Sequence, residues 1–139
     1  MTAINAWFCT ITAENWEKVK EHRIWGVPDT PKSRSKFRLI KPGDFLVFYL
    51  KSPTRAIIGT SSVASEVFIE RSKSPWTDRE YPHRVHLSEV RELSNPIPFS
   101  AIEGRLSKIR SGGSLFGNSI ISLTEQDREI IEILGRQSS

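Results

Sequence analysis

Apolar positions along this chain gather into short runs separated by polar stretches marked with proline and glycine. "AWFCTI" (Ala6 to Ile11) is apolar and rich in β-formers, which predicts a strand. Thr12 follows as a plausible N-cap for a helix over "AENWEKVKEH", where Trp16, Val19 and Arg23 recur at spacings of three and four. "KFRLIKPGD" passes through a Pro-Gly turn into "FLVFYL" (Phe45 to Leu50), a buried strand by its aromatic and β-branched content. After the turn "KSPTR", the stretch "AIIGTSSVASEVFI" reads as a second long strand. Gly59 lies inside it, which marks a bulge or a place where another group approaches the backbone.

"ERSKSPWTDREYP" is a polar loop, and "HRVHLSEVREL" alternates as a third long strand. Val85, Leu87 and Val90 are its inward candidates, with a register slip near Ser88 and Glu89. "NPIPFSAIEGRLSKI" predicts one or two short helical turns, and "RSGGSLFG" a glycine-rich loop. A last helix begins at Thr124, with Asp127 in the capping-box position and a stripe of Ile130, Ile131 and Leu134. Gly135 is the expected stop, and residues 135–139 the expected frayed tail. Long, mostly antiparallel strands with segregated helices give an α+β fold, a curled sheet or small barrel flanked by short helices.

Length and composition narrow the function. The 139 residues suit one domain, 1–139, large enough for a core without staples. The single cysteine, Cys9, can form no internal disulfide and sits in the first apolar run, where it reads as a small core side chain. No run approaches the roughly 18 apolar residues of a membrane span, and the N-terminus has no basic lead. A cytoplasmic protein is the expectation. The net charge of +4 and pI near 9.5 permit a polyanionic partner.

Catalytic and metal motifs are missing from the sequence. His83 and His86, three apart on a predicted strand, point to opposite faces and cannot share a metal. There is no HExxH, GxSxG, P-loop or GxGxxG. Acidic residues are scattered, and Asp44 reads as a turn residue. The expectation is no catalytic residue, no metal and no cofactor.

What remains is tryptophan and positive charge in loops. Trp7 and Trp16 fall on predicted elements and read as core. Trp25 stands beside Gly26 in "IWGVP", and Trp76 stands in the polar loop. Each could plug the core, offer a flat platform to a ligand, or meet a protein partner. Lys32, Arg34, Lys36 and Arg38 alternate, so an extended segment would turn all four to one side. Lys41, Lys51, Arg55, Arg71, Lys73, Arg79 and Arg84 add to the supply. Cations of this kind grip phosphates, while aromatic rings take unstacked bases.

"ENW" (Glu14 to Trp16), "IWGVP" (Ile24 to Pro28), "KPGD" (Lys41 to Asp44), "IIGTSSV" (Ile57 to Val63) and "YPHRV" (Tyr81 to Val85) occur in that order. Together they resemble the EVE domain, of the PUA-like superfamily and close to the YTH domain. The resemblance implies a small curled barrel and an aromatic pocket for a modified, for instance methylated, base of DNA or RNA. It places Trp25 and Trp76 as cage walls, Thr12, Asn15, Gly26 and Asn118 around the base edge, and Phe116 with Gly117 at the lip. Lys32, Arg34, Lys36, Arg38 and Arg84 would follow the phosphate backbone. Two other readings stay open: a small nucleoside hydrolase of PUA-like or ASCH-like type using a lysine with Asp29 or Glu80, and a general RNA-binding module with core tryptophans.

Energies constrain the reader. Burying one methyl group is worth about 0.8 kcal/mol, roughly a factor of four in affinity. Selectivity for a particular base therefore needs a polar group that only the right edge satisfies.

Overall fold

Every residue of the first strand, β1 (Ala6–Ile11), is buried, because both of its faces carry side chains that water rejects. The computed structural model describes residues 5–51, 53–71, 74–106 and 120–138. Around β1 the chain places α1 (Ala13–His22), β2 (Ile24–Val27), α2 (Pro31–Phe37), β3 (Phe45–Leu50) and β4 (Ala56–Val63). β5 (Phe68–Ile69), β6 (His83–Pro98), α3 (Phe99–Ile102), β7 (Ile120–Leu123) and α4 (Glu125–Ser138) complete it.

The strands form one curled mixed sheet in the order β2-β6-β4-β3-β1-β7, with β5 on the other side of β6. β1 runs parallel to β3, and the remaining pairings are antiparallel. Helix α2 packs against both edge strands, β2 and β7, and so fills the gap where the curl fails to close. Lys36 Nζ reaches across that gap to the carbonyl of Ile120 at 3.3 Å.

Two cores result, one on each face of the sheet. Trp7, Cys9, Trp16, Val19, Trp25, Phe37, Phe48 and Val85 fill the inside of the curl. Phe8, Val47, Tyr49, Ile57 and Ile97 meet Phe99 and Ile102 of α3 and Ile131 of α4 outside it. The alternation of strand side chains sends Trp7 and Cys9 inward and Phe8 outward from consecutive positions. Burial pushes the Cys9 thiol far up from its ordinary range, as expected of an inert core cysteine.

Bulges bend the sheet. The β3–β4 register shifts between Phe48 and Tyr49, opposite the step from Gly59 to Ile57. The β4–β6 register shifts again between Thr60 and Ser62, where Glu89 takes φ 50. An extra residue on one strand increases local twist, and here it turns the sheet toward closure. The slip expected near Ser88 and Glu89 is this second bulge.

Several local expectations are corrected. Trp25 is not in a loop: it is the second residue of β2, paired with Val85. Residues 32–38 are not extended: Thr30 accepts a hydrogen bond from the amide of Ser33 at 3.2 Å, Pro31 opens the first turn, and α2 follows. The long strand expected over 56–69 is broken into β4 and β5. β6 runs through Pro98, so the helical turns expected from Asn95 begin only at Phe99. β7 was not foreseen. The capping box of α4 forms reciprocally: Asp127 N donates to Thr124 Oγ1 at 3.0 Å and Thr124 N to Asp127 Oδ2 at 3.3 Å. The helix nonetheless runs past Gly135 to Ser138.

Asp44 is more than a turn residue. It is 4% exposed and accepts from Trp7 Nε1 at 3.0 Å, Lys41 N at 2.9 Å and Asn5 N at 3.2 Å.

Candidate functional site

One cleft opens where the end of β1, the start of α1 and the strand β2 meet the segment 74–82. It is lined by Thr10, Ile11, Thr12 and Asn15, by Trp25, Gly26 and Pro28 of β2 and its end, by Trp76, Arg79 and Tyr81, and by the exposed Lys51. Its volume is about 60 Å³, the share of liquid taken by about two water molecules.

Trp25 is 3% exposed and packs against Phe37 at 5.7 Å and edge-on against Phe48 at 6.0 Å between ring centroids. It therefore serves the core and the cleft at once. Gly26 beside it is required by space. A Cβ there would lie 2.8 Å from the carbonyl oxygen of His83 and 3.2 Å from that of Tyr81.

Trp76 is 5% exposed although it sits in a polar loop. Ser74 Oγ receives the Trp76 amide at 3.2 Å and donates to its carbonyl at 3.0 Å. Tyr81 meets the indole edge-on at 5.3 Å, and the Arg84 guanidinium lies 5.3 Å from the ring centroid. The loop is tied to α1 by polar contacts. Thr77 Oγ1 donates to Glu14 Oε1 at 2.8 Å, and Asn15 Nδ2 approaches Asp78 Oδ2 at 3.3 Å and Tyr81 Oη at 3.2 Å. Tyr81 donates in turn to Asp78 Oδ2 at 2.8 Å. Burial, and then the Asp78 carboxylate, push its hydroxyl up to about 12.

Thr12 takes the N-cap role for α1, accepting from the amide of Asn15 at 3.2 Å, and also lines the cleft. The structure thus brings Thr12, Asn15, Trp25, Gly26 and Trp76 together. Phe116, Gly117 and Asn118 lie outside the described residues.

The cations are placed differently from the expected strip. On the helix α2, Lys32 and Lys36 share one side while Arg34 and Arg38 share another, and none of the four lines the cleft. Arg34 pairs with Asp29, and Arg38 Nε donates to the carbonyl of Ser35 at 3.3 Å. Arg84 is 4% exposed, its Nε donating to the carbonyl of Tyr81 at 2.9 Å, so it supports Trp76 instead of standing free for a phosphate. Burial lowers its proton affinity from the ordinary arginine value. Among the described residues, the cations that line the cleft are Lys51 and Arg79, both exposed, and the unforeseen Tyr81 lines it beside them.

Asp29, next to Pro28 in sequence, does not line the cleft. It accepts from His83 Nε2 at 2.9 Å, from Arg71 at 3.1 Å and from Arg34. His83 first, then Arg34 and Arg71, hold its carboxyl well below the usual range. A carboxylate so stabilised is a poor general base near neutral pH. Among the described residues, no group of three or more His, Cys, Asp or Glu is placed to hold a metal, and no helix is long and apolar enough to cross a membrane.

Residues 5–134 match the EVE domain. A UPF0310 protein of Pyrococcus abyssi is 31% identical over 142 residues, covering 92% of this chain and 97% of its own. Among solved structures, human THYN1 in complex with DNA containing 5-methylcytosine superposes with a TM-score of 0.69 at 16% identity, covering 94% of this chain and 97% of that one. The Mmi1 YTH domain in complex with RNA gives a TM-score of 0.66 at 14% identity, covering 96% of this chain and 78% of that one. The curled sheet with its four described helices is the PUA-like fold of these neighbours. With the match running over residues 5–134, nearly the whole chain, the protein belongs to the EVE domain family.

Proposed function

We propose that the protein is a nucleic-acid reader that admits a single modified base, methylated or similarly altered, into the cleft between Trp25 and Trp76. The observation that carries this reading is the convergence of two tryptophans, 51 positions apart in sequence (76 − 25), on one cleft also lined by Lys51 and Arg79. The fold shared with a 5-methylcytosine DNA complex and a YTH–RNA complex supports it.

The cleft of about 60 Å³ is smaller than the roughly 300 Å³ at which ligand pockets begin. Admission of a base therefore moves the segment 74–82 away from α1, exchanging the Glu14–Thr77 contact and part of the Asn15 contacts for contacts to the ligand. Stacking returns roughly 1–3 kcal/mol per base. Extruding a base from a duplex costs a few kcal/mol, so a single strand or a mismatch binds more readily than a perfect duplex. The exposed Lys32 and Arg38 of α2 are left for phosphates further along the strand.

The test is binding of modified and unmodified single strands to wild type, Trp76→Ala and Trp25→Phe, the second chosen because Trp25 is also core. Loss of roughly tenfold or more in Trp76→Ala, with the fold intact by circular dichroism, is expected from the stacking term. Equal affinity of all three proteins for every strand would remove the cage.

A further inference from the structure

A second opening lies between helix α2 and the short strand β5. Its volume is about 580 Å³, inside the range of roughly 300–1,000 Å³ that ligand sites occupy and far larger than the cleft. Phe37, Phe68 and Ile69 supply apolar wall, and Arg34, Arg38 and His83 supply polar groups. The apolar side chains reach the surface here. Ile69 is 60% exposed, and half-buried Phe68 is held in place by stacking on His86, with ring centroids 4.8 Å apart and planes 23° apart. Contiguous apolar surface beside cations marks a place where something binds.

The charge of this groove is positive. Among the described residues that line it there is no acid. Asp29 is shared by Arg34, Arg71 and His83, so one carboxylate answers two guanidinium groups. Arg38 has no carboxylate partner among the described residues. Its Nε donates to the Ser35 carbonyl, and its two terminal nitrogens are left for an anion.

The groove and the cleft share a partition. Trp25 lines the cleft, Phe37 lines the groove, and their rings meet at 5.7 Å. Pro28 lines the first and Pro31 the second, and three residues of chain span at most about 11 Å between Cα atoms. Successive nucleotides of a stacked strand are about 3.4 Å apart. A base held in the cleft therefore brings its neighbours, roughly two to four positions away, to the groove.

We propose that the α2–β5 groove seats a second base of the bound strand whatever its identity, with Phe68 and Ile69 against the base and Arg38 on the adjoining phosphate. This rests on the reader function proposed above. Aromatic and apolar surface takes the face of any base, and a guanidinium takes any phosphate. The groove thus adds affinity and sets the register of the strand, while the cleft makes the choice. An acidic peptide would meet the same charges, but a strand in the cleft already carries its flanking bases to the partition.

The experiment uses fluorescence anisotropy with single strands that carry one central modified base, 5-methylcytosine in DNA or N6-methyladenine in RNA. One flanking nucleotide at a time is made abasic, on either side, which removes a base and keeps its phosphate. In wild type one such position, roughly two to four nucleotides from the centre, is expected to cost about fivefold or more, the low end of base–aromatic stacking. Exchanging the base at that position is expected to change little. Ile69→Asp, at an exposed position, sets a carboxylate in the groove and is expected to abolish the abasic sensitivity while the preference for the modified central base persists. Arg38→Gln is expected to weaken intact and abasic strands alike. No sensitive position in wild type, the result if the groove serves a peptide instead, overturns the inference while the reader function stands on the central base. Undiminished sensitivity in Ile69→Asp does the same. Failure of every strand to bind overturns the reader function itself, and this seat with it.

Discussion

The indole of Trp16 rests on the bare backbone of Gly59: a methyl group added there would come within 2.4 Å of Trp16 Cη2 and 2.6 Å of the Arg91 carbonyl oxygen. Neither neighbour can yield freely. Trp16 is also pinned by its Nε1 hydrogen bond to Glu92 at 3.0 Å, and the Arg91 carbonyl is sheet backbone. Gly59→Ala is therefore expected to cost roughly 1–3 kcal/mol, read as a lower midpoint in urea. Gly135 is the control. Nothing lies within 4 Å of its added Cβ, and it sits inside α4, so Gly135→Ala is expected to be neutral or to gain up to about 1 kcal/mol.

Asp44 ties the turn after α2 to the first strand through three donors, one of them the Trp7 indole nitrogen. Removing the carboxylate leaves these donors without it in a buried site. Asp44→Ala is expected to lose roughly 3 kcal/mol, whereas Trp7→Phe, which removes one donor and keeps most of the ring, loses less. Denaturant melts of both variants check the order. A smaller loss in Asp44→Ala than in Trp7→Phe would show that the carboxylate does not organise the turn.

Much of the fold was legible because its longest elements carry strong local signals. β1, α1 and β3 stand where the apolar runs and the Thr12 cap place them, and Gly59 marks a close approach as its position inside a strand predicts. β2 was not legible. Four residues, "IWGV", beside a proline look like a turn, and only the free edge of β6 makes them a strand. α2 was misread because alternating cations imitate the two-residue period of a strand. The true signal was the Thr30-Pro31 pair, an N-cap followed by a proline at the first helical position. Trp25 and Trp76 stood out as candidates because aromatic rings beside glycine or in a polar loop are unusual. Lys51, Arg79 and Tyr81 did not, since nothing in their neighbourhoods separates them from other polar residues. They reach the cleft from two segments that only the folded sheet brings together.

The Asp29 cluster makes a statement about pH. Its carboxyl is held below the ordinary value by His83, Arg34 and Arg71 in the folded chain alone. A depressed acid contributes stability that is present in full above its unfolded value of about 3.9, and that is lost as pH falls through the folded one. Asp29→Asn is expected to be less stable than wild type at pH 7, with the gap narrowing as pH drops below about 4. Urea melts at pH 7, 5 and 3.5 give the gap directly. A gap that stays constant across that range would mean the loss comes from packing and not from charge.

Arg84 and the two exposed cations of the cleft should separate in salt. Lys51 and Arg79 line the cleft and are exposed, so a strand's phosphates can reach them, while the Arg84 guanidinium is spent on the Trp76 ring and the Tyr81 carbonyl. A lysine or arginine that displaces a counterion from a single strand contributes about 0.7 to the slope of log affinity against log salt. Lys51→Ala and Arg79→Ala are each expected to flatten that slope by about 0.7 and to weaken modified and unmodified strands alike. Arg84→Met keeps the aliphatic stem but frees the indole. It is expected to reduce the preference for a modified base while leaving the slope unchanged. The same salt titration on all four proteins decides between the two roles, and a flattened slope in Arg84→Met would return Arg84 to the phosphate backbone.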